Sequence, residues 1–518
     1  MSLDDLHSRL DQRFRLLTGG SRNALPRQQT LGATVAWSFD LLTEPERDLL
    51  RRLSVFVGGF DLQGAEAVCV EGGFESFDVA DLISSLVNKS LVTAERFSTS
   101  LRYRLLETIR QYAADQLLQI GGESDAYRTR QLHAEHYLQL CLAAEPELKG
   151  PKQGAWLKRL DLEYDNLLAT FNTLSADTER TADVLSLGVA LIRFSITRHN
   201  SVLTHYLRGA LSSDTVVPVA LRAEALIALS TMTALFGSEE RSHQLARDLS
   251  EQAFALAERL GDDEFTVRAL NLKAVTWIDL GRHDLALEPA NAALELARSI
   301  NSPRAIAEAL AAVVSSHQSL GEVREQILES LSLFRQLGDS FWVSAMLVYL
   351  SISHFETMED VREGRALYEE AIELAEEIGS TFHRLILWCN SGIFSLLLGE
   401  LDAAVQLEQR ALRLSRRNGS LVSVDYWIVF TLACCATLQG NFLLGAQLTG
   451  AHDGIEERAI EPLGGYWPRL EIEARENNRV MLREALGDEE YERLITVGKG
   501  LSFDRVYDLA LGRNSHVE

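Results

Sequence analysis

Few residue groups in this sequence have the types and spacing that chemistry requires. The Gly498-Lys499 pair lacks the upstream glycine and the following hydroxyl residue of a phosphate-binding loop. GxGxxG, GxSxG and HExxH motifs are absent from the sequence. His133 and His136 stand three residues apart, but no third metal ligand accompanies them, and an ordinary helix surface is the favoured interpretation. We therefore predict a protein that is not an enzyme and holds no cofactor or metal.

Composition narrows the class of protein. Of the 518 residues, 46% are hydrophobic and 24% charged, as in ordinary globular proteins. The formal charge of −24 disfavours generic nucleic-acid coating, because it repels phosphates. The five cysteines form no CxxC pair, which indicates reduced, buried thiols.

We expect a cytoplasmic protein with no membrane partner. The start, MSLDDLHSRLDQRF, is acidic and amphipathic, unlike a signal peptide. The most apolar stretch, from Leu385 to Leu398, is interrupted by polar residues and is too short to span a bilayer.

The first 130 residues mix helix and strand signals. Thr43 before Glu44-Pro45-Glu46 predicts a helix start, Asp61 opens a second helix, and a third runs from about Asp78 to Lys89. Alternating residues in Ser90–Glu95 and Leu101–Leu105 predict a β-hairpin. A helix from Glu107 to Ile120 follows and is stopped by Gly121-Gly122. Three short helices followed by a hairpin are the order of a winged helix-turn-helix.

A repeat dominates the chain after residue 130. Five strings share one pattern at spacings of 40, 37, 41 and 40 residues: AFALAERLG from Ala253, ALELARSIN from Ala293, SLSLFRQLG from Ser330, AIELAEEIG from Ala371 and ALRLSRRNG from Ala411. Each string closes the second helix of a pair, with inner turns expected at Gly281, Gly321, Glu359, Gly399 and Gly440. Small residues after these turns, such as Ala286 and Ala404, indicate close helix approach. This is tetratricopeptide-like spacing, so we predict a mainly α fold with a winged-helix domain followed by an α-solenoid.

The winged helix could contact DNA or pack against protein. A major-groove helix normally presents several Arg, Lys, Asn or Gln side chains. The candidate helix offers Asn88 and Lys89 but also Asp78 and Asp81, which would face phosphates. The wing is richer, with Arg96, Arg102 and Arg104 as candidate DNA or partner contacts. Protein packing is the favoured interpretation.

Longer segments resemble a known class of bacterial regulators. The stretch from Phe14 to Cys69, then LISSLVNKSLV and YRLLETIRQYA, resembles the STAND-class signalling ATPases, which join an NB-ARC-like nucleotide switch, a winged helix and helical repeats. Many of these are LuxR-type or cyclase-linked transcriptional regulators. The resemblance implies that residues 1–22 are the end of the ATPase region and 23–125 the winged-helix domain. The residue pattern predicts degenerate repeats over 126–250, tetratricopeptide-like repeats over 251–450 and capping helices over 451–518, and the resemblance likewise implies repeats after the winged helix.

The same resemblance limits what can be carried over. The family's phosphate loop would lie before Met1, and the LuxR-type DNA-binding domain would follow Glu518. We therefore expect the sensing and relay half of such a regulator, with an effector or partner protein on the repeats and a separate ATPase or regulator chain as a further partner. The alternatives are a transcription factor that binds DNA through its winged helix, and a repeat scaffold.

The repeat register predicts a ligand groove lined by the first helix of each pair. Its candidate residues are Arg268, Asn271, Tyr349, Ile386, Trp427 and Phe430. Because the row becomes apolar and aromatic toward the carboxy end, we expect a ligand with an apolar or aromatic part near the last four. The alternative is that these side chains pack against a neighbouring helix or the cap.

We predict that the purified chain neither binds nor hydrolyses ATP, because its sequence offers no backbone cradle and lysine for the phosphates. Isothermal calorimetry with Mg-ATP and a phosphate-release assay test this. Micromolar ATP affinity would contradict the prediction and reveal a site without a recognisable motif.

Overall fold

The computed structural model describes residues 26–70, 74–97, 100–236, 240–278, 280–317, 320–353, 358–417, 422–458 and 469–513. The predicted ATPase remnant at 1–22 lies outside these ranges. The chain divides into two compact units. The amino-terminal unit comprises the chain up to 143 together with 159–187, and the repeat unit comprises 144–158 together with 188 onward.

The amino-terminal unit contains the predicted winged helix. Its elements are α1 (Pro26–Asp40), α2 (Glu44–Leu53), α3 (Leu62–Cys69), α4 (Ser76–Asn88), β1 (Val92–Phe97) and β2 (Ser100–Leu105), followed by the long α5 (Glu107–Glu147) and α6 (Gln153–Ser175). A short 3-10 turn, Thr178–Arg180, leads to α7 (Thr181–Ala190). The predicted order of short helices and a hairpin is confirmed.

Local sequence signals set the ends of these helices. The Glu46 carboxylate accepts hydrogen bonds from the Thr43 backbone N–H at 2.8 Å and from its hydroxyl at 2.9 Å, which fixes the start of α2. Asp61 Oδ1 accepts from the Gly64 N–H at 2.8 Å and caps α3. Gly122, at φ +73°, interrupts α5 where Gly121-Gly122 predicts a stop. The helix resumes directly, so the predicted domain boundary at 125 falls inside α5.

The hairpin depends on two glycines that precede it. β1 and β2 are antiparallel, with Val92 opposite Leu105, and Phe60 exchanges backbone hydrogen bonds with Tyr103 at 2.8 and 2.9 Å. Gly58 and Gly59 have φ values of +77° and +109°, which side chains rarely adopt. A Cβ at Gly59 would lie 2.7 Å from the Tyr103 carbonyl oxygen. The Gly58-Gly59 turn therefore lets the chain pair with β2.

The repeat unit is a succession of antiparallel helices. They are α8 (Ile192–Arg198), α9 (Leu203–Leu211), α10 (Val219–Phe236), α11 (Glu240–Leu260), α12 (Asp263–Ile278), α13 (His283–Ser299), α14 (Pro303–Ser316), α15 (Arg324–Leu337), α16 (Ser340–Ile352), α17 (Met358–Glu377), α18 (Thr381–Leu397), α19 (Leu401–Arg417), α20 (Val422–Leu438), α21 (Phe442–Arg458), α22 (Arg469–Leu486), α23 (Asp488–Lys499) and α24 (Phe503–Ala510). The mainly helical repeat fold predicted from the spacing is confirmed.

The repeated strings end where a left-handed residue stops the second helix of a pair. Gly261, Gly338 and Gly379 have φ values of +66°, +69° and +63°, and Asn301 serves the same role at +53°. Gly281, Gly399 and Gly440 occupy left-handed turns inside pairs, as predicted. The predicted turn at Glu359 is wrong, because that residue lies within the first turn of α17.

Small residues allow the paired helices to approach. Ala286 and Ala404 are fully buried, each inside a cluster of apolar side chains from neighbouring helices. At Gly392 of α18 a Cβ would lie 2.4 Å from a carboxylate oxygen of Glu408. Any larger residue at these positions would separate the helices of a repeat.

The segment GAQLTGAHDGIEE, residues 445–457, lies within α21, and two of its glycines contact α23 directly. A Cβ at Gly450 would lie 2.3 Å from the Ile495 carbonyl oxygen, and one at Gly454 would lie 2.7 Å from that of Lys499. Gly498 presents the same close approach from the α23 side. This backbone contact explains the glycine spacing of the segment.

One described helix, α10, is long and apolar enough to span a bilayer by length and composition. Its most apolar window is 56% buried within the protein, and residues such as Leu226 and Met232 belong to the core.

We expect Ala404→Leu to lower the free energy of unfolding by about 1–3 kcal/mol, because the added atoms overpack the contact with α20. Urea denaturation followed by circular dichroism measures this. Ala403→Leu is the matched control, since Ala403 is exposed on the same helix. Equal stability of the two variants would contradict the repeat register.

Candidate interaction surfaces

Lys89, at the end of α4, forms an ion pair with the buried carboxylate of Glu46. Its Nζ donates to Glu46 Oε1 at 2.5 Å, and the Ser85 hydroxyl donates to the same oxygen at 2.6 Å. Burial alone would raise the pKa of Glu46, but the hydrogen bonds from Lys89, Ser85 and Thr43 outweigh it and lower the pKa to about 2. The charge of Lys89 is therefore largely used within the domain.

Arg102 of β2 points inward. Only 5% exposed, its guanidinium forms an ion pair with Glu163 of α6 and donates to the carbonyl oxygens of Gly59 at 3.0 Å and Leu162 at 2.6 Å. The interpretation of Arg102 as a surface contact for DNA or a partner is wrong, because all of these acceptors lie inside the amino-terminal unit.

The Glu163 carboxylate is the centre of a larger polar network. Tyr137 O–H and Asn166 Nδ2 each donate to Glu163 Oε2 at 2.8 Å. Asn166 also donates to Gly59 O and accepts from the Val57 N–H, both at 2.8 Å. The network thus joins the Gly58-Gly59 turn and β2 to α5 and α6.

His133 belongs to the same network. It is 2% exposed and lies 3.2 Å from Asn166 Oδ1, so the expected position on an open helix surface is wrong. Burial lowers the pKa of His133 to about 4, which keeps the ring neutral at physiological pH.

Arg96 and Arg104 are the exposed arginines of the predicted set. Both side chains lie on the hairpin, and Arg104 Nη2 makes one hydrogen bond, at 3.3 Å, to the Gly58 carbonyl oxygen. Glu95 is also exposed on β1. The wing thus presents a mixed surface on which two of its three candidate arginines are accessible.

The first two groove candidates lie on α12. Arg268 is half-buried and forms an ion pair with Glu224 of α10 at 3.2 Å. Asn271 is half-buried, and its Oδ1 is buried without a hydrogen-bond partner among the described residues. The register thus places both residues at a helix interface with polar atoms.

Tyr349, a predicted groove residue, lies beside Ser315 of the preceding first helix. Their hydroxyl oxygens are 3.0 Å apart, which joins α16 to α14. Ile386 of α18 is half-buried. A ligand on this part of the row stays a prediction.

Phe430 is not open to a groove. It is 3% exposed and packs with Leu396, Cys434 and Ala474, the last of which lies on α22. Trp427 is half-buried and meets Phe430 edge-on, with 6.4 Å between ring centroids. The apolar row at the carboxy end is therefore covered by α22, which agrees with the alternative of packing against the cap.

A buried ionic cluster around Asp339 was not anticipated. This carboxylate is fully buried at the start of α16, and Arg304 and Arg193 approach its Oδ2 to 3.1 and 3.7 Å. Gln153 donates to Oδ1 at 3.2 Å and accepts from the Phe341 N–H at 3.0 Å. Asp339 stands at a helix N-cap, a visible sequence signal, but its arginine partners have no local signature.

Within the described ranges, His452, Asp453 and Glu456 form one group whose ligand atoms lie within 4.8 Å of one another. Arg479 donates to Asp453 at 2.6 Å, and Arg475 donates to Glu456 at 2.7 Å. Two guanidinium groups therefore already balance the carboxylates, which makes this a poor cation site.

Comparison with known proteins agrees with the amino-terminal architecture. Residues 42–118 match the family model of a winged helix-turn-helix domain. The structure and this match together define a winged-helix protein with a helical repeat region.

Relatives extend the comparison over most of the chain. A provisionally named HTH-type transcriptional regulator of Mycobacterium tuberculosis is 30% identical over 476 residues, covering 89% of this chain and 48% of that protein. An uncharacterised protein of the same organism is 47% identical over 122 residues, covering 23% of this chain and 31% of that protein. The chain is thus similar to proteins provisionally named as HTH-type transcriptional regulators and spans about half the length of these relatives.

Among solved structures, a STAND protein with a tetratricopeptide repeat sensor from Pyrococcus horikoshii aligns with 92% of this chain and 68% of its own. The identity is 16% and the TM-score 0.43.

We expect Arg102→Met to destabilise the amino-terminal unit by about 3–5 kcal/mol, because it leaves the Glu163 charge buried without its cation. Arg104→Met, at an exposed residue of the same strand, is the control and should change little. Thermal melts of both variants measure the difference. Equal melting temperatures would mean that Arg102 is not needed to neutralise Glu163.

Proposed function

We propose that this chain is the signal-sensing and relay module of a STAND-like transcriptional regulator. The helical repeats would bind an effector or partner protein, and the winged helix would relay that event to a nucleotide switch on the same or a separate chain. The proposal assigns no catalytic role to the described residues and places the protein in the cytoplasm.

The inward direction of Arg102 is the observation that supports relay over DNA reading. Base readout needs Arg, Lys, Asn or Gln side chains presented to a groove. In this winged helix, Arg102 is held by Glu163, and Lys89 by Glu46. A domain that uses its basic residues to bind its own helices is suited to transmitting movement between segments.

The repeats support the sensing half of the proposal. A helical repeat array offers an extended surface on which a ligand can contact several units. The half-buried side chains of Arg268, Asn271 and Tyr349 place polar atoms along the repeat row. The similarity to HTH-type regulators over 476 residues supports a role in transcriptional control.

Direct DNA binding through Arg96 and Arg104 is the second candidate, favoured by the winged helix-turn-helix match over residues 42–118. Fluorescence anisotropy with a labelled random 30-base-pair duplex at low salt distinguishes the two candidates. Under the relay proposal, we expect no salt-sensitive binding of the duplex that depends on Arg96 and Arg104. Salt-sensitive binding that is lost in an Arg96→Ala, Arg104→Ala variant, but retained in Arg335→Ala on the repeats, would establish DNA reading instead.

A further inference from the structure

The covered end of the repeat row contains a cavity. It has a volume of about 230 Å³ and lies between α18, α20 and α22. Its apolar wall includes Leu396, Leu397, Leu438, Leu470 and Met481. A dry apolar cavity on the order of 150 Å³ is enough to hold benzene, so this one has room for a larger aromatic or aliphatic body.

One buried polar side chain in the cavity lining has an oxygen available to accept a hydrogen bond from a ligand. Asn478 of α22 lines it and is 6% exposed. Its Nδ2 donates to the Thr449 hydroxyl at 2.9 Å, while its Oδ1 is buried without a hydrogen-bond partner among the described residues. A buried acceptor without a donor is destabilising, and a ligand that supplies the donor removes that cost.

The remaining polar lining comprises Glu473, Thr437 and Asn477, and the side-chain amide of Asn477 both donates and accepts hydrogen bonds. Glu473 lies at the mouth, about half exposed, where it receives Arg469 Nε at 2.8 Å. Thr437 already donates its hydroxyl proton to the Ala433 carbonyl oxygen. The Asn478 Oδ1 atom and the Glu473 carboxylate favour a ligand with a donor group or a cation over an anion.

We propose that this cavity binds a small molecule with an apolar body and a hydrogen-bond-donating head, a primary amine or an alcohol. The apolar body would occupy the space between Leu396, Leu438 and Met481, and the head would donate to Asn478 Oδ1. This assignment rests on the proposed function, in which the repeats bind an effector. It adds where the effector binds and which chemical class it belongs to. It lies beyond the row of Tyr349, Ile386, Trp427 and Phe430 and uses α22, which that row does not include.

Calorimetry on the full chain tests the proposal with tryptamine, hexylamine and benzyl alcohol as probes, and with indole-3-acetate as the anionic counterpart of tryptamine. We expect at least one donor probe to bind saturably at one site, and tryptamine to bind at least tenfold more tightly than indole-3-acetate. Absence of saturable binding by all three donor probes overturns the proposal, as does tighter binding of the anion.

Two pairs of variants locate the site. Ala474→Phe fills the cavity and should abolish binding, whereas Val480→Phe, exposed on the same helix, should leave it unchanged. Asn478→Leu removes the acceptor and should weaken binding at least tenfold. Thr449→Val breaks the same Asn478–Thr449 hydrogen bond but keeps Oδ1, so it should bind like the unmodified chain. Unchanged binding in Ala474→Phe, with circular dichroism showing an intact fold, overturns the site.

Hydrogen exchange separates failure of the site from failure of the proposed function. With a bound probe, amides of α22 should be protected if the site is right. Altered exchange in residues 92–105 on binding supports relay to the winged helix. Protection of α22 without any change there supports the site and counts against the relay, whereas binding that survives Ala474→Phe overturns the site and leaves sensing by the repeats intact.

Discussion

Buried charge constrains both units, because each holds a carboxylate that is stable only where several donors meet it. Glu163 accepts hydrogen bonds from Arg102, Tyr137 and Asn166. Asp339 accepts hydrogen bonds from Arg304 and Gln153 and forms an ion pair with Arg193. Buried ion pairs often add little net stability compared with apolar packing. Their directional donors do fix which segments meet. The donors around Glu163 therefore fix how the Gly58-Gly59 turn, β2 and α6 meet. Those around Asp339 fix how α14 and α16 meet.

Much of the fold could be predicted because its signals are local. Thr43 and Asp61 mark helix starts by side-chain capping, and the left-handed residues Gly338 and Gly379 mark repeat ends. The inward direction of Arg102 could not be predicted in this way. Alternation along β2 gives Arg102 and Arg104 the same face, but only Arg102 is buried, and it is paired with Glu163, which follows it by 61 residues. The predicted turn at Glu359 is wrong for a simpler reason. No glycine marks that position, so the prediction rested on the repeat spacing alone.

The groove assignment shows what an apolar row can and cannot indicate. Ile386, Trp427 and Phe430 follow the register of first helices, and the same register correctly places Tyr349 beside Ser315. An increase in apolar character predicts burial, and burial has two possible causes, a ligand or another part of the chain. Here α22 covers Phe430 through Ala474. Its charged sequence, RLEIEARENNRVMLREAL, shows no repeat spacing that would assign it to this surface.

The covering is incomplete, and this matters for sensing. Because α22 leaves about 230 Å³ against α18 and α20, its packing there is weaker than a filled core would allow. A ligand in that space would contact all three helices and supply the missing donor to Asn478. The ligand would favour the state in which α22 is docked over any state in which α22 has moved. The size of this effect is the difference between the ligand's binding free energies for the two states. A sensor needs such a difference between two states, and a partly filled interface at the end of a repeat array provides one.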